Sequence, residues 1–217
     1  MKNYKYILFD FDGTIADTSL GVINATLYAL KSFGIEVDSP MVSLRRFIGP
    51  PLNYSFNTFY GLQGDDIQKA ISAFREYYSS KGIYECRIYE GIEELLKQLK
   101  ANGKKVILAT SKPTMFALQI LERFNLNQYF DFISGAELDE SRVEKPEVIN
   151  YAIKQYGIDT SEAVMIGDRI YDIQGATSFG MDSIGVLHGF GEKEEFEGAV
   201  AMAKDTRELQ ELLVQPQ

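Results

Sequence analysis

Asp10 and Asp12 stand one residue apart, directly after the apolar run Tyr6-Ile7-Leu8-Phe9 and just before Gly13-Thr14. Side chains alternate along a strand, so two acids at this spacing share a face if the strand reaches them. Two carboxylates that close repel unless a cation or a shared proton relieves them. The pair therefore reads as a divalent-metal site with one acid left for chemistry. Three further stretches carry complementary groups: Thr110-Ser111-Lys112-Pro113, Glu144-Lys145-Pro146 and Gly167-Asp168-Arg169-Ile170-Tyr171-Asp172. Together they suit phosphoryl transfer. A carboxylate can act as nucleophile and form an acyl-phosphate. Magnesium takes oxygen ligands and bridges carboxylate to phosphate. A hydroxyl, backbone N–H groups and a lysine can hold the phosphoryl oxygens. A second carboxylate can protonate the leaving group and later activate water.

Each stretch alone has a plainer explanation. Asp-x-Asp-Gly is a common polar turn. Thr110 and Ser111 before Pro113 suit the cap of a helix, and a lone lysine is usually surface. Asp172 in a first helical turn complements the helix dipole. Their joint order, each at the end of an expected element, argues against coincidence.

The elements that must position them follow from pattern. Besides the first strand, short apolar runs at 105–109, 130–134, 163–166 and 183–187 read as strands. They alternate with helical periodicity at 91–103, 114–124, 146–156, 171–179 and 208–213. Such alternation predicts an α/β fold, a doubly wound parallel sheet covered on both faces. In that fold ligands bind beyond the carboxyl ends of the strands, at the switch point of strand order. If the first strand is central, with the strands before Thr110 and Asp168 as neighbours, the loaded stretches converge. Residues 20–82 break the alternation with helices only, at 20–33, 40–48, 52–60 and 65–82, with Ser39 and Asp65 as N-caps. We read them as an inserted all-helical domain, 18–85, within a core domain formed by 1–17 and 86–217.

Composition narrows the classes. The 217 residues carry a net charge of −9, which argues against a nucleic acid polymer as partner. A single cysteine, Cys86, excludes an internal disulfide and suits a reducing cytoplasm. One histidine, His188, excludes a multi-histidine zinc site within the chain. No stretch reads as a signal peptide, and no apolar run reaches membrane-spanning length.

With these motifs on the page, the chain resembles the haloacid dehalogenase (HAD) superfamily over nearly its whole length. Asp10-x-Asp12-Gly13-Thr14 is similar to the first motif, Thr110 to the second, Lys145 to the third, and Gly167-Asp168-x-x-x-Asp172 to the fourth. The resemblance implies a Rossmann-like core and a magnesium-dependent phosphatase working through a phospho-aspartate. Asp10 would be nucleophile and metal ligand. Asp12 would be the general acid/base, its backbone carbonyl on the metal. Thr110 and the Ser111 N–H would bind phosphate, and Lys145 would steady Asp10 and the phosphoryl group. Asp168 would bind the metal, with Asp172 behind it. An aspartate two residues after the nucleophile points to phosphatases and phosphomutases rather than dehalogenases. The helical insert looks like the family's small cap, which closes over the site and selects the leaving group.

Arg45-Arg46-Phe47-Ile48-Gly49-Pro50-Pro51-Leu52 resembles the cap loop of the branch holding phosphoglycolate phosphatases and bacterial 5′-nucleotidase-like enzymes. We expect a small phosphorylated metabolite as substrate, a nucleoside monophosphate first and phosphoglycolate second. Arg46, Ile48 and Gly49 are the candidate cap contacts. A β-phosphoglucomutase-like sugar phosphomutase is the near alternative. A phospho-accepting signalling module, which also uses acids, hydroxyl, lysine and magnesium, is the alternative of another class. The chain would act as monomer or homodimer, away from membranes. Phe47, Tyr54, Phe56 and Tyr60 read better as helical-domain core than as a base-stacking surface. His188 reads as a loop residue, Cys86 as unactivated, and Glu192–Glu197 as a solvated helix start.

Overall fold

The computed structural model describes residues 1–139 and 141–214. Two compact units emerge: Met1–Ala16 with Ile88–Gln217, and Asp17–Arg87.

The larger unit is built on β1 (Tyr6–Phe9), four consecutive buried residues with no polar side to spare but the Tyr6 hydroxyl. A strand apolar on both faces needs cover on both, and parallel β-α-β connections supply it. Along the chain come β2 (Ala16–Asp17), the helices of the second unit, β3 (Arg87–Ile88), α5 (Ile92–Ala101), β4 (Lys105–Pro113), α6 (Thr114–Arg123), β5 (Phe132–Ala136) and α7 (Lys145–Tyr156). Then follow β6 (Ala163–Gly167), α8 (Ile170–Thr177), β7 (Asp182–Val186), β8 (Ala201–Ala203) and α9 (Thr206–Leu213). The main sheet has six strands in the order β5-β4-β1-β6-β7-β8, while β2 and β3 pair separately. All its pairings are parallel: Phe9 sits beside Leu108 on one side and Ile166 on the other. The strand order reverses across β1 and β6, the crevice where such sheets bind ligands. One face of the sheet closes over Leu8, Ile107, Met165, Ile149 and Ala152, a buried apolar cluster that seats α7.

Two core expectations change. The strand expected to stop at residue 109 runs on to Pro113, its register with β5 shifting between Ala109 and Pro113. The segment 192–197 is solvated at Glu192, Lys193, Glu194 and Glu197 but winds only a short turn rather than opening a longer helix. It is a 3-10 turn, Lys193–Phe196, whose Phe196 is fully buried and whose Glu195 is half-buried and bonded to Arg169. β8 was not anticipated either.

The second unit holds α1 (Ser19–Lys31), α2 (Pro40–Ser43), α3 (Leu52–Tyr60) and α4 (Asp65–Ser80). Helix α1 packs along α4. Phe47 and Phe56 are buried with their rings 5.1 Å apart, and Phe59 and Tyr60 lie 5.5 and 5.9 Å from Phe47. Phe47 and Phe56 are apolar core, with the half-buried Phe59 and Tyr60 packed at its edge; Tyr54 is exposed. The helix expected at 40–48 divides into α2 and a 3-10 turn, Arg45–Phe47. Ser39 does not cap it, since its backbone turns left-handed (φ 49°) and its hydroxyl makes no capping bond. Gly64, not Asp65, precedes α4, which leaves Asp65 in the first turn, where the dipole favours an acid. Among the described residues no helix is long and apolar enough to cross a membrane.

Candidate active site

The carboxyl ends of β1, β4 and β6, with the start of α7, bring the sequence-predicted core residues into one cluster. Asp10 follows β1 directly and its N–H still bonds Ile166 O on β6, at 2.9 Å, so the ladder fixes where its side chain emerges. Beyond it Phe11 O accepts the N–H groups of Thr14, Ile15 and Ala16, winding the chain into a tight turn. Gly13 makes that turn possible. Its φ is 84°, and a Cβ there would fall 2.1 Å from Asp168 Oδ2.

Lys145 is the first residue of α7, where reciprocal Glu144 and Glu147 bonds cap the helix. The lysine is only 4 % exposed. Its ammonium lies 2.7 Å from Asp10 Oδ1 and 2.8 Å from Asp172 Oδ1, and donates to Ala109 O at 3.2 Å. Burial alone would depress this amine, but Asp10 and Asp172 more than offset it and hold it protonated. The expectation that a lone lysine is usually solvated fails here because two acids meet it inside.

Asp168 directly follows β6 and Asp172 sits in the first turn of α8; both are wholly buried. Asp168 Oδ2 accepts the Phe190 N–H at 2.7 Å, and Oδ1 lies 3.4 Å from the Thr14 hydroxyl. Asp172 Oδ2 accepts the Arg169 N–H at 3.1 Å. Carboxylate oxygens of Asp10, Asp168 and Asp172 lie within 4.8 Å of one another. Burial, then Asp10 and Asp172, push the Asp168 carboxyl well above the usual range, with the Phe190 N–H and Arg169 opposing. Burial also raises Asp172, against the pull of Lys145. Three buried acids with one buried ammonium leave a negative excess that a cation relieves. The donors are all hard oxygens, which suits magnesium rather than a thiophilic metal. Asp172 already has Lys145 on one oxygen and a backbone N–H on the other, so its place is behind Asp10 and Asp168.

Thr110 is buried and Ser111 half-buried on the far end of β4. Neither caps α6 with its side chain; the Thr110 hydroxyl instead accepts the Lys112 N–H at 3.2 Å. Lys112 is the functional candidate that sequence reasoning missed. Its side chain is 3 % exposed, and its ammonium lies 2.9 and 3.2 Å from the two oxygens of Asp12. The signal was available: Lys112 is two residues past Thr110, and a strand that continues puts both on one face.

Of the candidates in the helical unit, Arg46 is exposed, its guanidinium 4.4 Å from the Phe59 ring centre, a cation–π contact. Ile48 is buried, and Gly49 takes φ 107°. Among the other sequence-stretch residues, His188 is half-buried, with Nε2 3.2 Å from Thr14 O and its ring 4.5 Å from that of Tyr89. Burial depresses its basicity. Cys86 bonds the Ile83 carbonyl.

Known proteins share this arrangement. Residues 7–186 match the model of the haloacid dehalogenase-like hydrolases. A protein named 5′-nucleotidase from Pseudomonas aeruginosa is 38% identical over 192 residues, 88% of this chain and 86% of that one. One named phosphoglycolate phosphatase from Vibrio parahaemolyticus is 27% identical over 89% of this chain and 88% of its own. The crystal structure of a predicted phosphatase from Clostridium acetobutylicum superposes with a TM-score of 0.94 at 42% identity, covering 97% of this chain and 98% of that one.

Proposed function

Within the haloacid dehalogenase-like hydrolases, the family to which this chain belongs, we propose that it is a magnesium-dependent 5′-nucleotidase working through a phospho-aspartate. That it is a phosphoric monoester hydrolase follows from its relatives. The metal, the intermediate and the nucleoside monophosphate substrate are our reading. The observation that carries it is the buried set Asp10, Lys145, Asp168 and Asp172. Lys145 meets both Asp10 and Asp172 there, and carboxylate oxygens of Asp10, Asp168 and Asp172 converge within 4.8 Å.

Asp10 is the nucleophile. One carboxylate oxygen bonds phosphorus as the bond to the nucleoside 5′ oxygen breaks, and Asp12 donates the proton that oxygen takes up. Asp12 then removes a proton from water, which attacks phosphorus and frees Asp10 and inorganic phosphate. The Thr110 hydroxyl, the Ser111 N–H and Lys145 hold the phosphoryl oxygens, and their charge and dipoles oppose the negative charge that builds there. Asp10, the Asp12 carbonyl and Asp168 would hold magnesium, which when bound neutralises the acids and draws the phosphate against Asp10. Asp172 keeps Lys145 in place from behind.

The 5′-nucleotidase assignment draws on the identity to the Pseudomonas aeruginosa protein so named. Its test is phosphate release from a panel of nucleoside 5′-monophosphates, phosphoglycolate and hexose phosphates, with magnesium or EDTA. We expect the highest kcat/KM on a nucleotide and no turnover in EDTA. Preference for phosphoglycolate, or isomerisation of a hexose phosphate, would overturn the substrate. Undiminished turnover by Asp10→Asn would overturn the nucleophile.

A further inference from the structure

After β7 the chain turns back across the mouth of β6, in a stretch beyond the residues that match the family model. Phe190 donates its N–H to Asp168 Oδ2 at 2.7 Å. The glycines on either side are fitted to the same aspartate. A Cβ at Gly189 would fall 2.3 Å from Asp168 Cβ, 2.5 Å from its Oδ2 and 2.5 Å from Gly13 O. A Cβ at Gly191 would fall 2.0 Å from Asp168 O. Four residues on, Glu195 accepts the Ile170 N–H at 2.9 Å and Arg169 Nε at 3.0 Å, while its other oxygen accepts Glu192 N–H. His188 at the near end meets Thr14 O. Thus residues 188–195 are bonded to Asp168, to the two residues after it and to the turn after β1.

We propose that the turn Gly189-Phe190-Gly191 is a positioning element of the metal site. The Phe190 N–H holds the Asp168 carboxylate in the orientation that meets the cation. The inference rests on the metal reading above. Its physical ground is that Asp168 sits wholly buried, with one carboxylate oxygen on the Phe190 N–H at 2.7 Å. A backbone N–H bonded to one oxygen stops the carboxylate rotating and leaves the other oxygen aimed among its neighbours. Partners of this kind behind a ligand tune metal affinity by about 10–100-fold. Gly189 and Gly191 are required because any side chain there would push the N–H off the oxygen.

Phe190→Pro and Phe190→Ala both lose the ring, but only proline loses the N–H. Manganese(II), a paramagnetic stand-in for magnesium, is titrated into each full-length variant, with free ion read by electron paramagnetic resonance and heat by calorimetry. Thermal unfolding in EDTA is measured alongside. We expect the proline variant to bind about 10–100-fold more weakly than the alanine variant, and both to unfold cooperatively in EDTA. A purely structural role would lower the unfolding temperature and leave the affinity ratio of the folded proteins near one; a ratio within about threefold overturns the proposal. If Phe190→Pro does not fold, Gly189→Ala takes its place. It keeps the N–H but displaces it, and wild-type affinity there overturns the proposal as well. Failure of the wild-type protein to bind manganese would instead overturn the metal reading on which the proposal rests.

Discussion

Asp168→Asn separates the stability of the fold from the needs of the site. Asp168 lies within 4.8 Å of Asp10 and Asp172, with no solvent exposure. At an effective dielectric of about 20, two unit charges at that distance repel by roughly 3.5 kcal/mol, so two neighbours oppose its ionisation by at most roughly 7 kcal/mol, less what the Lys145 ammonium between them offsets. The molecule need not bear all of this, because the carboxyl can take up a proton instead. Protonating a carboxyl of ordinary pKa near 3.9 at pH 7 costs about 3 units at 1.36 kcal/mol each, so about 4 kcal/mol is the ceiling on what this group can take from stability. Asparagine keeps the shape and still accepts the Phe190 N–H, but carries no charge. The metal-free variant is therefore expected to be more stable than wild type at pH 7, by about 1–4 kcal/mol. The sign with pH follows from the raised carboxyl. The native state binds more protons than the unfolded chain between the ordinary carboxylate pKa and the raised one, so wild type loses stability as pH rises through that window. The advantage of Asp168→Asn should accordingly shrink below about 1 kcal/mol at pH 4 and grow to a plateau above. Magnesium should reverse the order. Wild type gains RT ln(1 + [Mg]/Kd), about 2.7 kcal/mol at a hundred times Kd, and the variant gains far less. The assay is urea unfolding from pH 4 to pH 8 in EDTA, repeated with magnesium. A metal-free Asp168→Asn less stable than wild type at pH 7, or an advantage that grows toward acid, would refute the reasoning.

Two other outcomes follow from the same cluster. Lys112→Met removes the ammonium that meets both oxygens of Asp12. We expect kcat for phosphate release to fall by about 10–100-fold, part of what a positioned acid/base supplies, with KM changing less and Lys112→Arg restoring part of it. Unchanged kcat would show that Asp12 needs no such support. His188, depressed by burial with Thr14 O and Asp205 in opposition, is harder to protonate when folded than in the unfolded chain, which takes up the proton near pH 6.5. Stability is thus present above that pH and lost as pH falls below it. His188→Gln should remove this acid limb, up to about 1 kcal/mol at pH 5 given its partial exposure, read as the difference between the two unfolding curves. Parallel curves would exclude the histidine as its source.

The sheet and the four acids were legible in the sequence because both rest on local signals. Tyr6-Ile7-Leu8-Phe9 and Ala163-Val164-Met165-Ile166 are too short and too apolar to be anything but buried strands once helices flank them, and acids that end such runs are placed by the topology. Lys112 escaped because polar residues were taken to end the strand at Ala109. Hydrogen bonds of β4 to its neighbours, which no single-chain pattern displays, carry it to Pro113. Lys145 and Glu195 look like surface residues by type; their burial comes from partners far off in sequence, Asp10 and Asp172 for one, Arg169 and Ile170 N–H for the other. β8, Ala201-Met202-Ala203, is a strand only because Val186 and Ile184 offer it an edge.

The interrupted core also sets an order on biosynthesis. β1 leaves the ribosome before its sheet partners, since Tyr6 pairs with Lys105 and Ala163, 99 and 157 residues later. At 5–20 residues per second the strand waits roughly 5–20 s for its first neighbour and about 8–30 s for its second. The whole of Asp17–Arg87 is made within that wait, and its residues are consecutive, so nothing it needs internally is still to come. The nascent chain thus has its helical unit complete while β1, apolar on both faces, is still unpaired, which makes residues 1–16 a stretch that a chaperone has reason to hold.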